Sequence, residues 1–154
     1  MQGSSAKILP IGSVLFTSRA PIGYLGISEV ELSTNQGFKS IVPKHNISNM
    51  WLYYWLKNKT PYLQSLGSGS TFAEISGKTL KEVEILVPPL QEQKAIAEVL
   101  SSLDDKIELL QKQNETLEAI AQTLFRQWFI EESDDSWEEV ELVDCCDYVS
   151  SGGT

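Results

Sequence analysis

Arg19 is the side chain with the most chemistry to offer. It stands in Thr17-Ser18-Arg19-Ala20-Pro21, where a proline restricts the loop and a guanidinium fork can grip a guanine edge through two bonds. The same fork could bind a phosphate or brace its own loop. Ser18 offers a hydroxyl beside it. Asn35 and Gln36, in the polar stretch Glu31 to Gly37 (ELSTNQG), carry the amides that pair with adenine. The competing reading is a loop held by its own side chains. A third stretch, Gly67-Ser68-Gly69-Ser70-Thr71, is small and rich in hydroxyls. Ser68, Ser70 and Thr71 can approach phosphate oxygens closely, or the stretch is a plain connector. Lys39, Lys44 and Lys78 complete the set, as phosphate contacts or as solvated charges.

Bond-making chemistry has little to work with. His45 is the single histidine, and Cys145 and Cys146 are adjacent, which is neither a disulfide framework nor a metal-site spacing. Such cysteine usage fits a reducing cytoplasm. The glycines around Ser68 lack a Walker lysine and open no long helix, and there is no Asn-Pro-Pro-aromatic motif. No cofactor and no metal are expected. No run of 18 apolar residues suggests a membrane span, and the start, MQGSSAK, lacks a secretory pattern.

The net charge of −9 is unevenly spread. Residues 1–90 carry eight Lys/Arg against five Glu, a net of +3, while residues 91–154 carry four against sixteen Asp/Glu, a net of −12. A mildly basic first part is therefore joined to an acidic second part, and the whole-chain value misleads about partners.

The elements that must position these residues follow from pattern. Ser13 to Thr17 (SVLFT) and Ile22 to Ser28 (IGYLGIS) read as strands broken at Arg19-Ala20-Pro21, and Phe38 to Val42 as a third strand. Ser48 or Asn49 can cap a helix from Met50 to Lys57, whose core WLYYWL is apolar nearly all round and so should be sandwiched. Trp51, Tyr53, Tyr54 and Trp55 are too bunched for a stacking platform and read as core. Thr60-Pro61 suggests the start of a second short helix, with Gly67 as its left-handed stop. Lys78 to Lys81 reads as one helical turn, Val83 to Val87 as a strand, and Trp137 to Val149 as strand-like.

From Pro88 to about Ile130 runs the longest pattern. Ile96, Leu100, Leu103, Ile107, Leu110, Asn114, Leu117, Ala121, Leu124 and Trp128 fall at alternating steps of four and three, the repeat of a coiled coil. Some forty residues make a rod of about 60 Å, too long for the rest of the chain to bury. It needs a partner helix. Asn114, the one polar core position, reads as a register device.

The ordered set TSRAPIGYLGI, STNQGF, the WLYYWL helix, GSGSTFAEIS, VEILVPPLQEQKAIAEVLSSLDDKI and QTLFRQWF resembles the specificity subunit of type I restriction-modification enzymes. The resemblance covers almost the whole chain. It implies an α+β fold: residues 1–88 as the later part of a target-recognition domain, 89–130 as a long conserved coiled-coil helix, 131–136 as an acidic linker, and 137–154 as the opening strand segment of a next domain. On this reading the chain is cut within a domain. The resemblance also implies a non-catalytic protein that reads double-stranded DNA and holds methyltransferase subunits along paired helices. S-adenosylmethionine chemistry would sit on those partners and ATP-driven cleavage on a restriction subunit. With half a recognition domain, DNA binding by the chain alone is expected to be weak.

Two other classes compete: a coiled-coil dimerisation module with no DNA role, and an acidic DNA mimic, disfavoured because the negative charge lies along a helix-packing element. A homodimer is expected, since an apolar seam of ten positions would otherwise face water. Asn114 favours a parallel pair, whereas the resemblance points to an antiparallel one. The antiparallel reading is preferred, because it brings Val140, Leu142, Val143 and Val149 of one chain to the incomplete sheet of the other, with Trp137 buried there.

Overall fold

The computed structural model describes residues 7–68, 73–134 and 136–150. Three short strands form an antiparallel sheet in the order β2-β1-β3, with β1 Val14–Thr17, β2 Leu25–Ile27 and β3 Phe38–Ile41. The central strand pairs Phe16 with Leu25 on one side and Lys39 on the other, and Thr17 pairs with Phe38. Alternation decides which face is dry. Val14 and Phe16 are fully buried, and they join Ile22, Leu56, Leu63 and Ile75 in the core. Each such side chain contributes about 1.5–3 kcal/mol when removed from water, so six of them dominate this small sheet.

Helix α1, Asn49–Ser65, covers the sheet. Ser48 caps it, its hydroxyl accepting from the Trp51 N–H at 3.3 Å. Pro61 lies inside it, so the expected break at Thr60-Pro61 does not occur. Proline removes one backbone bond, but buried Leu56 and Leu63 anchor both flanks and Gln64 donates to the Ile22 carbonyl at 2.7 Å. Packing outweighs the proline. Nor is Gly67 a left-handed stop. The cap is Leu66 in right-handed geometry, and Gly67 is needed for space, since a Cβ there would crowd the Gln64 carbonyl and Ile22.

Helix α2, Gly77–Lys81, is the expected single turn, capped by Ser76. The expected strand at Val83 to Val87 is irregular chain without a ladder partner among the described residues. Its alternation is real, since Val83 packs on the core while Leu86 is almost fully exposed. A strand also needs a neighbour, and none pairs with it among the described residues. Helix α3, Leu90–Arg126, starts directly after Pro89 with Glu92 in its first turn. A wider helical turn, Gln127–Glu131, continues it. Trp137 to Val149 forms no strand either. It holds one tight turn, Leu142–Cys145, and its apolar side chains are exposed, with no partner strand among the described residues.

The chain divides into two compact units, Met1–Asp105 and Lys106–Thr154. In the first, α3 packs on α1 through residues that hydrophobic pattern hides. The Tyr54 hydroxyl donates to Asp104 at 3.1 Å and lies 3.4 Å from the Ser101 hydroxyl, which can donate to it, and Lys57 donates to Asp104 at 3.0 Å. The Lys57 ammonium also lies 5.7 and 5.6 Å from the Tyr53 and Tyr54 ring centres. With sheet on one side and α3 on the other, α1 is sandwiched as its composition requires. In the second unit Phe125 stacks on Phe129, which meets Trp137 at 6.2 Å.

Candidate nucleic-acid interface

Three loops converge at the C-terminal end of β1. The first is residues 18–24, which includes a cis Ala20-Pro21 bond and Gly23 at φ +106°. The second is the turn before β3, where the Asn35 carboxamide oxygen accepts from the Gly37 N–H at 2.9 Å. The third returns through Glu74 and Ile75, and Ile75 donates to the Ser18 carbonyl at 2.9 Å. Ser18 is the pin. It is fully buried, and both its N–H and its hydroxyl donate to the Gly37 carbonyl, at 2.8 and 3.0 Å. Its part is to hold two loops together rather than to meet solvent.

Arg19 is exposed beside it and pairs with Glu74 through Nε at 3.1 Å, while Lys39 reaches the other carboxylate oxygen of Glu74 at 3.4 Å. Ser68 closes the third loop by two backbone bonds of 3.0 Å with Glu74. Asn35 and Gln36 are exposed on the second loop. Arg19, Asn35, Gln36, Lys39 and Ser68 are thus gathered at one end. Ser70 and Thr71 lie outside the described residues.

Lys44 follows β3 toward the opposite end of the sheet. Lys78 is an exposed cation on α2, 4.0 Å from Glu82, and follows Gly77, which lies close to the Lys39 side chain. Glu74 escaped the reading of the sequence, because a lone acid in a polar loop gives no sign of the two cations it faces.

The opposite end of the sheet carries a second omission. Gln93 is buried and fully bonded: its Oε1 accepts from the Ser48 N–H at 2.8 Å, and its Nε2 donates to the Asn46 and Pro88 carbonyls at 3.2 and 2.8 Å. The start of α3 is thereby clamped to the loop that enters α1. The pairing positions of α3 have a different fate. Ile96, Leu103, Ile107, Leu110, Leu117, Leu124 and Trp128 are exposed in the single chain, as are Asn114 and Ala121, and Leu100 is half-buried.

Polar loops gathered at one end of a small sheet, and a long helix with an exposed apolar seam, define the class: a small α+β domain carrying one long helix. Residues 2–119 match the family model described as the Type I restriction modification DNA specificity domain, and the chain belongs to that family. It is 54% identical over 129 residues to the type I restriction enzyme MjaIX specificity subunit of Methanocaldococcus jannaschii, covering 82% of this chain and 30% of that protein. A chain in a structure concerned with complex assembly and conformational transition of the type I R-M system matches with a TM-score of 0.65. It is 30% identical, over 77% of this chain and 29% of that one. The HsdS subunit from Thermoanaerobacter tengcongensis matches with a TM-score of 0.59 at 27% identity, over 70% and 25%. The chain spans about 30% of the length of the curated relatives it matches. Among the described residues no helix is long and apolar enough to cross a membrane.

Proposed function

We propose that this chain is the DNA-reading and scaffolding part of a type I restriction-modification specificity subunit, acting in the cytoplasm and carrying no catalytic group of its own. Residues 1–88 read duplex DNA through the loops at the Arg19 end of the sheet, 89–130 pair with a second copy, 131–136 link, and 137–154 complete the recognition domain of that copy. Methyltransferase subunits dock along the paired helices, and a restriction subunit adds cleavage. The observation that supports this reading is the convergence of Arg19, Asn35, Gln36 and Lys39 at one loop cluster in a net-basic segment. The exposed seam of α3 supports the pairing, since seven large apolar side chains stand in water without a partner.

Duplex binding across a salt series tests the DNA role. Weak binding with a shallow negative slope of log affinity against log salt is expected, because few phosphates can be contacted. Salt-independent or absent binding, with no methyltransferase subunit co-purifying after co-expression, would leave only a dimerisation module. Spin labels at residues 96 and 128 test the pairing. Short distances between 96 and 128 of different copies indicate the antiparallel dimer, and a monomer at tens of micromolar would remove the pairing altogether.

A further inference from the structure

Glu74 lies between two cations, with Oε2 accepting from Arg19 and Oε1 from Lys39. The backbone fixes both sides of the contact. Arg19 and Glu74 form an antiparallel bridge, and Glu74 forms another with Ser68. The Arg19 and Glu74 side chains are 49% and 38% exposed, and ion pairs this open contribute little to folding. What the pair contributes is direction. A guanidinium presents its donors in one rigid plane. With Nε engaged by Glu74, the edge left over is the Nη pair, and two parallel donors match O6 and N7 of guanine. Among the described residues Arg19 has no other hydrogen-bond partner. Its polar neighbours are partly spent, Ser18 on Gly37 and the Asn35 oxygen on the Gly37 N–H.

We propose that Arg19 is a guanine-reading residue and that Glu74 is its positioning residue, holding Nε so that the two Nη groups face a guanine edge in the major groove. The inference rests on the DNA-reading function proposed above and names the base class read at this position. Glu74 has a second effect. Its negative charge offsets Arg19 and Lys39 together and repels a phosphate brought to the same place. It therefore lowers sequence-independent attraction while it raises discrimination. The two effects separate in opposite directions when the charge is removed.

The experiment takes the full chain at low salt with a random-sequence duplex library and compares bound with unbound fractions by sequencing. The wild type enriches guanine at one position, on the order of tenfold or more, the discrimination expected of a bidentate contact. Arg19→Lys keeps the charge but not the fork. It loses that enrichment and holds affinity for scrambled duplex within about twofold. Glu74→Gln weakens the enrichment while affinity for scrambled duplex rises and its salt dependence steepens. Melting temperatures of both variants are measured alongside, since both side chains are open to solvent and the fold should persist. A guanine preference unchanged in either variant, or a Glu74→Gln protein that loses scrambled-duplex affinity, overturns the proposal and leaves the DNA-reading function standing. No duplex binding by the wild type overturns the proposal, and together with no methyltransferase subunit co-purifying it overturns the DNA-reading function as well.

Discussion

Replacing Gln93 with Ala removes a side chain that holds three backbone groups at once. The Ser48 N–H loses its acceptor, and the Asn46 and Pro88 carbonyls lose a shared donor, in a site where Gln93 is 1% exposed. An orphaned buried donor costs about 1–3 kcal/mol, and unpaired carbonyls and the small void add to it. A total loss of about 3 kcal/mol is expected, which for a unit of this size lowers the melting temperature by about 12–24 °C. Tryptophan fluorescence is the suitable signal, because buried Trp51 lies in α1 just beyond the clamped loop. Gln93→Glu sharpens the test. Its oxygen replaces the Nε2 donor and faces two carbonyls, so burial and repulsion raise its folded-state pKa above that of the unfolded chain. Stability is then fully present below the unfolded value and lost as pH rises through the raised one. The deficit against wild type should be smallest in acid. An Ala variant melting within about 4 °C of wild type, or a Glu variant whose deficit ignores pH, would refute the clamp.

The Asp104 carboxyl is held below its usual range, first by the hydrogen bond from Lys57 and then by that from Tyr54. That stability is present above the unfolded carboxylate value and lost as pH falls through the lowered folded one. Lys57 is raised, chiefly by the same bond to Asp104, and its share is present below its unfolded value and lost as pH rises through the raised one. Both groups are about half exposed, so the pair is worth less than about 1 kcal/mol. Asp104→Asn should flatten the acid limb of stability, read as urea midpoints at neutral and acidic pH, and an unchanged limb would contradict it. Gly23→Ala places a Cβ at φ +106° and against Thr60 Cγ2, with an expected loss of about 2 kcal/mol or more. Adding Thr60→Ser should recover the steric part only, and full recovery would mean that the backbone is not strained.

The sequence carries the α3 seam plainly because heptad spacing is a property of the chain alone. The same holds for the three strands, the Ser48 cap and the turn at Arg19-Ala20-Pro21. Val83 to Val87 alternates clearly and Trp137 to Val149 is strand-like in composition, and still neither forms a strand, since a strand is defined by what lies beside it. The α1 helix runs through Pro61 because Leu56, Leu63 and Gln64 are anchored to groups far away in sequence. Gln93 and Glu74 were hidden for a related reason. A polar residue becomes a clamp or a buttress only through partners 45–47 and 35–55 residues distant, and no local pattern marks those.

The two ends of β1 answer to different demands and, among the described residues, share no hydrogen-bond partner. At one end Ser18, Gly37, Arg19 and Glu74 are bonded to each other; at the other Gln93 joins Ser48, Asn46 and Pro88. Substitutions at separated sites with no common partner add nearly independently. A change at the Arg19 loops is therefore expected to leave the junction to α3 intact, and a change at Gln93 to leave the Arg19 loop contacts intact. On the proposed function, the loops of such a chain can change one at a time while the junction to α3 is kept.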